Sequence, residues 1–522
     1  MPMCTLKTHI IDNFFSGDDY PYDYPVVIHA VRFPQRSSAD SFIDSVSDLQ
    51  KISLKIRNNI SDSTAFTTLY GKKLVSYDYI QCYHKLVITL GEGQRSIIVD
   101  KTDIRYKNYV QILKEELRPA MGCTEPIAIA YAAAKSTEVL GTRPDKLVAE
   151  VSGNIIKNVK SVVVPHTGGL RGIQAAAAAG AVAGDAEAEL EVISNVTPEQ
   201  IADIGKYLKT TQIEVKHVDN GHIFDIAVTS YCGDDSACVR IVDYHTNIVL
   251  IRRNDKVLLE REIVVTGDGL TDRECLSIEG IVDFADSVDL EDVRETLERQ
   301  IRYNMAIAEE GLRGDYGANI GSVLLASHPE DITYRMRAYA AAASDARMNG
   351  CELPVVINSG SGNQGITSSV PVAVYAMCNN KHYTDLLRAL VVSNLVTIHL
   401  KTGIGRLSAY CGAVSAGCGA GAGIAYLQGG KYEAIAHTVV NAIAIDSGIV
   451  CDGAKASCAA KISSAVDAGI TGAAMYNRGD QFFGGDGIVK NGVEKTIATV
   501  GRLARFGMKQ TDEEIIRLMM EE

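Results

Sequence analysis

Small residues dominate the second half of the chain, where the helix-forming stretches carry few charges. Three of these stretches read RMRAYAAAASDARM, LLRALVVSNLVTIHL and EAIAHTVVNAIAIDSG. A helix that lacks a continuous polar face is normally buried among other helices. We therefore expect a mainly helical region after about residue 276, in which the helix backbones pack closely against one another.

Two other regions have a different pattern. Residues 1 to about 106 are rich in Tyr, Val and Ile, and short strands around a polar helix near Ser41 to Ile56 predict a small α+β module. Its predicted strands lie in PYDYPVVIHAVRF, KKLVSYDYIQCYHKLVITL and RSIIVDK. Between Lys146 and Val265, strands dominate, with helices around 172–184 and 198–208. The strands predicted there are KLVAEVS, KSVVVP, EAELEVIS, IEVKHV, IFDIAVTS, ACVRIVD, NIVLIRR and KVLLEREIVV.

The sequence thus predicts an α+β fold in three parts. Residues 1–106 form an N-terminal module of unknown role, residues 107–270 a mixed α/β part, and residues 271–522 a mainly helical Gly/Ala-rich part. Within the second part, YVQILKEELRPAMGCTEPIAIAYAAAKSTEVLG predicts a helix, a break at RPAMGCTEP and a second helix that opens near Pro126 and ends at Gly141. Cys123 is therefore expected at a helix start.

Composition limits the functional classes. The net charge is −13 and no cluster of Lys and Arg is present, which argues against nucleic-acid binding. No run reaches the roughly 18 apolar residues of a membrane span, and residues 1–50 lack the pattern of a secretion signal. We expect a cytoplasmic protein that acts on a small molecule and has no nucleic-acid or membrane partner. A homo-oligomer is compatible with the sequence.

The twelve cysteines contain no C-x-x-C pair, so any metal site must be assembled from distant segments. In a reducing compartment, disulfides are the least expected use of these thiols. Cys411 and Cys418 are seven residues apart, which on one helix is about 10.5 Å along the axis. That separation is too long for both to bind one compact cluster, and the same argument applies to Cys451 and Cys458. Each pair is expected to supply one ligand.

The position of each thiol relative to a helix favours one member of each pair. Cys411 precedes Gly412, and Cys451 precedes Asp452-Gly453, so both are expected where the chain enters a helix, as Cys123 is. A helix N-terminus stabilises a thiolate, which is the form that binds metal. Three such thiolates would hold an iron–sulfur cluster with one iron left open. The alternative is that all of these cysteines are inert packing residues.

A second polar cluster lies in PVVINSGSGNQGITSSVP, which contains a G-x-G-x-x-G pattern. Pro371 follows within six residues of the last glycine, and no second strand ends in an acidic residue about twenty positions on, so a dinucleotide fingerprint is a poor match. The polar side chains between bare glycine amides suit a carboxylate or an ammonium group instead. An ordinary Gly-rich turn is the alternative. The candidate substrate-binding residues here are Ser359, Ser361, Gly362, Asn363 and Gln364.

Other polar residues occur in apolar surroundings. SGNIIKN supplies Asn154 and Asn158, and YHTNIV supplies His245 as a candidate general base with Thr246 and Asn247 as candidate substrate ligands. Arg347 is a candidate carboxylate clamp, as are Lys401 and Arg406. Core hydrogen bonding for the histidine, and a surface position for the charges, are the alternatives.

Seven motifs together resemble the L-cysteine desulfidase family, which is related to the α-subunit of iron–sulfur L-serine dehydratases. They are MGCTEPIAIA, SGNIIKN, HTNIV, ASDARM, NSGSGNQGI, RLSAYCGA and GIVCDGAKASCAAK. The resemblance extends from about Tyr109 to the C-terminus. It implies a [4Fe–4S] cluster bound by Cys123, Cys411 and Cys451, no pyridoxal phosphate, and cleavage of L-cysteine to pyruvate, ammonia and sulfide.

The resemblance also leaves alternative ligands. Cys458 is typical of the same family motif, and a ligand segment of the related serine dehydratases resembles GCGAGAG, which would indicate Cys418. L-serine dehydration is the alternative reaction. A cluster-binding redox or sulfur sensor, or an amino-acid binding protein that has lost the cluster, are alternatives from other classes.

Overall fold

The computed structural model describes residues 66–70, 73–77, 99–263, 270–405 and 407–521. The chain divides into two compact units, Met1–Ser96 and Ile97–Glu522. In the first unit, β1 (Phe66–Tyr70) and β2 (Lys73–Tyr77) form an antiparallel hairpin, and β2 lies within the predicted strand region KKLVSYDYIQCYHKLVITL. The predictions for PYDYPVVIHAVRF, for the helix near Ser41 to Ile56 and for most of RSIIVDK lie outside the described residues.

In its described residues, the first half of the second unit contains a sheet, five α-helices and one 3₁₀ helix. Its helices and strands are α1 (Ile104–Glu116), β3 (Pro119–Met121), α2 (Thr124–Leu140), β4 (Lys146–Val151), α3 (Gly153–Val159), α4 (Gly172–Ala183), α5 (Pro198–Thr210), β5 (Gln212–His217), β6 (Asp225–Cys232), β7 (Asp235–Val242), β8 (Ile248–Arg253) and β9 (Lys256–Glu260). Six of the strands form one sheet in the order β5-β4-β6-β7-β8-β9. Only β4 and β5 run parallel among these neighbours, and the other pairs are antiparallel.

Helices α2 and α4 cover the sheet and are buried through their alanines. A Cβ at Gly180 would lie 2.1 Å from the Ala130 carbonyl oxygen, so the two helix backbones are in contact. The α+β fold class is confirmed, but two predicted strands are wrong. KSVVVP contributes only a single bridge from Val163 to Arg171, and EAELEVIS contains the 3₁₀ helix Ala186–Glu191. That helix is set by a local bond, because the Asp185 carboxylate accepts from the Glu187 amide at 3.1 Å.

The second half is helical, as expected from its small residues. It contains α6 (Ile278–Ser287), the 3₁₀ helix Leu290–Asp292, α7 (Arg294–Arg313), α8 (Ile320–Ser327), α9 (Ile332–Met348), β10 (Pro354–Val356), α10 (Gly362–Cys378), α11 (Tyr383–Ile404), α12 (Gly412–Leu427), α13 (Tyr432–Asp446), α14 (Cys458–Arg478), α15 (Val493–Arg502), the π-helical turn Leu503–Gly507 and α16 (Lys509–Met520). Of the helices in the described residues, none is both long and apolar enough to cross a membrane.

Glycines bring α12 and α14 into backbone contact. A Cβ at Gly417 would lie 2.2 Å from the Ala465 carbonyl oxygen, and one at Gly421 would lie 2.6 Å from the Gly469 carbonyl oxygen. The contact advances by four residues on both helices, so the two helices run parallel. Their N-termini, at Gly412 and Cys458, therefore lie side by side.

A short two-stranded ladder joins the two halves of the second unit. Strand β3 pairs antiparallel with β10, with Ala120 opposite Val355. The ladder places the start of α2, immediately after β3, beside the turn that follows β10, and the Thr124 hydroxyl donates to the Gly360 carbonyl at 3.4 Å. The sheet-bearing half thus contributes directly to the centre of the helical half.

We expect Gly469→Ala to lower the free energy of unfolding by about 1–3 kcal/mol, because its Cβ would lie 2.3 Å from the Gly417 carbonyl oxygen and force α12 and α14 apart. Gly205→Ala in α5 is the matched control, since a Cβ there meets nothing within 4 Å. The control should be neutral or should stabilise the protein by about 0.5–1 kcal/mol. Urea unfolding of both variants is the measurement, and equal stabilities would contradict the close-packing argument.

Candidate functional site

A cavity of about 780 Å³ lies at the meeting point of the sheet-bearing and helical halves. Its wall contains four thiols, which belong to Cys123, Cys411, Cys451 and Cys458. Cys418 is fully buried in α12 and is not part of this wall. The structure therefore brings together the three thiols proposed as ligands, with Cys458 as a fourth.

Backbone pairing between two distant segments holds Cys411 beside Cys451. The Cys411 amide donates to the Ile449 carbonyl at 3.1 Å, and the Cys451 amide donates to the Ala409 carbonyl at 2.6 Å. Lys461 of α14 fixes the same loop through the Val450 carbonyl at 2.8 Å. A local helix alone would not produce this contact, because the two cysteines are forty residues apart in sequence.

The two neighbouring thiols differ in their pKa. The Cys411 thiol donates a hydrogen bond to Cys451, and this bond, with the Lys157 charge, the Gly453 amide and the Lys401 charge, lowers the pKa of Cys451 to about 5. The same bond, together with burial, raises the pKa of Cys411. In metal-free protein, this pair therefore favours the thiolate on Cys451 over the thiolate on Cys411.

Cys123 and Cys458 lie at helix starts and pack together with Val162 and Met348. Cys123 is the N-cap of α2, and Cys411 is the N-cap of α12, as predicted. The predicted helix start at Cys451 is wrong, because α14 begins seven residues later, at Cys458. Burial raises the pKa of Cys123 to about 12 and also raises that of Cys458, so desolvation outweighs the helix dipole at these positions.

The polar turn after β10 opens directly into α10. Asn358 and Ser361 exchange two backbone hydrogen bonds of 3.0–3.1 Å, and Ser359 and Gly360 between them have positive φ angles of 50° and 80°. Helix α10 then continues through Pro371 to Cys378, so the proline does not end the helix. The turn presents Ser359, Ser361, Asn363 and Gln364 to the cavity.

Arg347 and Gln364 present polar atoms that the described residues do not satisfy. The Arg347 Nη1 atom donates to Asn363 Oδ1 at 3.1 Å, while its Nε has no hydrogen-bond partner there. Gln364 Oε1 also has none, and its amide packs on Gly412, where a Cβ would lie 2.7 Å from the amide carbon. Both side chains are at least 95% buried. Buried polar atoms without partners indicate that a ligand completes their hydrogen bonds.

The opposite wall belongs to the sheet. His245 lies in the turn between β7 and β8, lines the cavity and packs edge to face on Phe224 with ring centroids 4.7 Å apart. His222 lies near it, with its Nδ1 atom 3.5 Å from Asp243 Oδ1. The wall therefore offers two imidazoles, of which the sequence analysis identified one.

Several predicted substrate ligands lie elsewhere or at the margin. Asn158 and Lys401 line the cavity, but Asn154, Thr246, Asn247 and Gly362 do not. The Asn247 side chain instead donates to the Val242 carbonyl at 2.9 Å and ties its own turn. Gly362 is needed for space, because a Cβ there would lie 2.3 Å from Arg347 Nε. Arg406 lies outside the described residues.

Sequence analysis missed other residues of the wall. Lys157 is only 1% exposed, and Glu125 accepts from the Asn158 amide at 3.3 Å. Lys157 lies in the motif SGNIIKN and Glu125 in the motif GCTEP. The motifs therefore marked the right segments, although the residue types alone did not identify these two side chains. Lys461 is a third case, since it is the last residue of the motif GIVCDGAKASCAAK.

The charge distribution around the thiols favours an anionic occupant, although Glu116, Glu125, Asp243 and Asp272 also line the cavity. Four helices, α2, α10, α12 and α14, begin at the cavity, and the basic side chains of Lys157, Arg347, Lys401 and Lys461 line it. Helix N-termini and buried cations both stabilise negative charge. In the described part of the chain, no three His, Cys, Asp or Glu side chains are grouped to hold a single metal ion. Thiolate ligands of a multi-iron cluster each bind a different iron, so such a cluster does not require three of these side chains around one ion.

Comparison with known proteins gives a consistent family. The model described as serine dehydratase alpha chain matches residues 187–517. A UPF0597 protein of Desulfitobacterium hafniense (strain Y51) is 59% identical over 425 residues, which are 81% of this chain and 99% of that protein. UPF0597 proteins of Treponema denticola and Shewanella oneidensis are 47% and 38% identical over 425 residues, with 80% of this chain and 99% of each relative covered.

In metal-free protein, we expect iodoacetamide at pH 6.5 to alkylate Cys451 before the other three thiols of the cavity wall, because the pKa of Cys451 is lowered while those of Cys411, Cys123 and Cys458 are raised. The rate at Cys451 should fall as the pH drops through this lowered pKa. Cys411→Ala removes the donor and should slow alkylation of Cys451 at pH 6.5, whereas Cys418→Ala should not. Mass spectrometry of the modified peptides gives the order, and preferential labelling of Cys123 would contradict it.

Proposed function

The chain belongs to the serine dehydratase alpha chain family, and from this premise we propose that it is an iron–sulfur lyase that converts L-cysteine to pyruvate, ammonia and sulfide. The reaction is a β-elimination with no net redox change and no pyridoxal phosphate. The observation that carries the proposal is the convergence of buried thiols and the polar turn before α10 on one cavity. L-serine dehydration is the second candidate, because the matching family model carries that description.

We assign Cys123, Cys411 and Cys451 as the ligands of a [4Fe–4S] cluster. Thiolates are the usual ligands of such clusters, and the surrounding helix starts and buried cations would offset their negative charge. Gly453, with φ of 92°, supports the assignment, because a Cβ there would lie 2.0 Å from the Lys157 carbonyl oxygen and push the Cys451 loop away. When bound, a cluster with three thiolate ligands supplies an open iron that acts as a Lewis acid toward the leaving group of the substrate.

Cys418 and Cys458 are the other two thiols that were considered as ligands. Their positions support the choice of the three ligands and leave Cys458 as the one alternative. Cys418 lies outside the cavity wall, as expected for a packing thiol. Cys458 lies in the wall against Cys123, and its thiol is 3.6 Å from the Gly453 carbonyl oxygen. We assign Cys458 as a neighbour whose loss weakens the site, and it is the alternative ligand if Cys451 is not one.

The polar turn and Arg347 are assigned to the substrate carboxylate. The Arg347 guanidinium is a charged donor that lines the cavity, as do Asn363 and Gln364 in the first turn of α10. Gln364 Oε1 is an unsatisfied acceptor and suits the substrate ammonium group. Asn363 orients the guanidinium through its 3.1 Å hydrogen bond.

His245 is assigned as the base, because its imidazole lies on the wall that belongs to the sheet. It takes the proton from the α-carbon, the C–H electrons form the double bond to the β-carbon, and the bond from the β-carbon to sulfur breaks with its electron pair on sulfur. The aminoacrylate that remains tautomerises and takes up one water, which yields pyruvate and ammonia. With L-serine, the hydroxyl oxygen leaves in place of sulfur.

Anaerobically prepared protein is expected to contain about four irons per chain and to release sulfide and pyruvate from L-cysteine. Cys123→Ser, Cys411→Ser and Cys451→Ser should each lose the iron, whereas Cys418→Ala should keep it. Iron and labile sulfide analysis and product assays are the measurements. Loss of iron in Cys418→Ala with retention in Cys411→Ser would overturn the ligand assignment.

The product assays also separate the candidate functions. Pyruvate from L-serine without sulfide from L-cysteine would favour the dehydratase, and a loaded cluster without turnover of either substrate would favour a sensor. Full activity of metal-free protein, or activity that depends on added pyridoxal phosphate, would contradict the proposal.

Asn363→Ala and Gln364→Ala should raise KM without loss of iron, because Gln364 is assigned to the substrate and Asn363 to the guanidinium that binds the substrate, and neither is assigned to the cluster. The loss of one hydrogen bond to a charged group corresponds to about 1.5–3 kcal/mol, or roughly 10- to 150-fold in affinity. Met377→Ala at the exposed end of α10 is the control and should leave KM unchanged. Normal KM values in both variants would rule out this role for the turn.

A further inference from the structure

Helix α16 packs against α3, which lines the cavity through Lys157 and Asn158, although none of the residues of α16 is buried. It contacts α3 through one acidic side chain, one backbone carbonyl and one apolar side chain. Asp512 pairs with Lys157 and accepts from the Asn154 amide at 2.9 Å. Lys160 donates to the Met519 carbonyl, and Ile516 lies over Gly153, where a Cβ would come within 2.9 Å of it. A surface helix with few contacts to α3 therefore places a carboxylate beside a buried lysine.

Lys157 connects that carboxylate to the site. Its side chain is 1% exposed and lines the cavity, whereas the Asp512 side chain, at 16% exposed, lies on the outer side. A buried ammonium needs a partner, since an uncompensated buried charge is strongly destabilising. Asp512 is the carboxylate that pairs with Lys157, because the other acid near α3, Glu125, bonds to Asn158 and Thr124.

The backbone of Lys157 also supports the loop that carries Cys451. Gly453 lies so close to the Lys157 carbonyl oxygen that only glycine fits. Movement of α3 would therefore be transmitted to residues 451–457, and Asn158, the next residue of α3, would leave the cavity wall with it. The contacts form a continuous series from α16 through α3 to the thiol loop.

We propose that Asp512 is a positioning residue of the site, which holds the Lys157 ammonium and with it α3 and the Cys451 loop, so that helix α16 completes the active site from outside. The inference rests on the proposed function for its catalytic consequence. Its structural part concerns only residues of this chain and can be tested in metal-free protein. Asp512 does not touch the substrate, and it acts through Lys157.

The first test is hydrogen exchange of the metal-free, full-length protein. Asp512→Asn keeps a hydrogen-bonding side chain but removes the charge, and it should increase exchange in residues 153–159 and 451–457. Glu513→Gln is the matched control on the same helix. The Glu513 side chain is 63% exposed and forms only a long, 3.9 Å ion pair with Lys509, so its substitution should change hydrogen exchange in neither segment. Exchange at the wild-type rate in both segments of Asp512→Asn would overturn the proposal. This result does not depend on which reaction the protein catalyses.

The second test is a double-mutant cycle on the loaded enzyme. We expect Asp512→Asn to lower kcat/KM about 10- to 100-fold for the substrate that is turned over, with partial recovery in Asp512→Glu. In a Lys157→Met background, Asp512→Asn should have little further effect, because the carboxylate acts through the lysine. Additive losses would overturn the proposal. If wild-type enzyme turns over neither L-cysteine nor L-serine, the proposed function fails while the exchange result still decides the role of Asp512.

Discussion

The parallel contact between α12 and α14 fixes the geometry on which the site depends. Gly417, Gly421 and Gly469 let the two backbones touch, and the register of the contact sets the starts of both helices at the same level. Cys411 caps one of these starts, and Cys458 begins the other. A larger residue at any of the three glycines would separate the helix starts before it changed any side chain in the cavity. The low side-chain volume of this region is therefore a requirement of the site as well as of the packing.

The electrostatic arrangement explains why so many cations are tolerated in a buried wall. Lys157 and Lys461 have carboxylate partners that approach from outside the cavity, Asp512 and Asp452 respectively. Arg347 differs, because its contact to Asn363 is neutral and its Nε is unsatisfied within the described chain. The helix starts add further positive potential. The protein thus neutralises Lys157 and Lys461, and the Arg347 charge remains where the substrate carboxylate is proposed to bind.

How well the sequence predicts the structure depends on whether the signal is local. Cys123 and Cys411 were placed correctly at helix starts, because glycine or proline beside each thiol marks the entry of the chain into the helix. The entry near Cys451 was misplaced, because Asp452-Gly453 was interpreted as the helix start although Ser457, a residue type favoured at the N-cap, is the N-cap of α14. What holds Cys451 is pairing with Ala409, a long-range contact that no local pattern encodes. The strand prediction for EAELEVIS was also wrong. Its alternating apolar residues resemble a strand, but the Asp185 carboxylate accepts from the Glu187 amide and caps a 3₁₀ helix.

The candidate base and the candidate cluster ligands lie on different halves of the unit, so their separation is set by how those halves join. The ladder between β3 and β10 is the direct link, because β3 leads into Cys123 and α2, and β10 leads into the substrate turn and α10. His245 reaches the cavity from the sheet that α2 covers. One pair of three-residue strands thus relates a thiol, the polar turn and the histidine wall to each other. The sheet-bearing half is therefore part of the candidate site, and if the proposed function holds, a change at the β3–β10 ladder should affect catalysis before it affects the stability of the helical core.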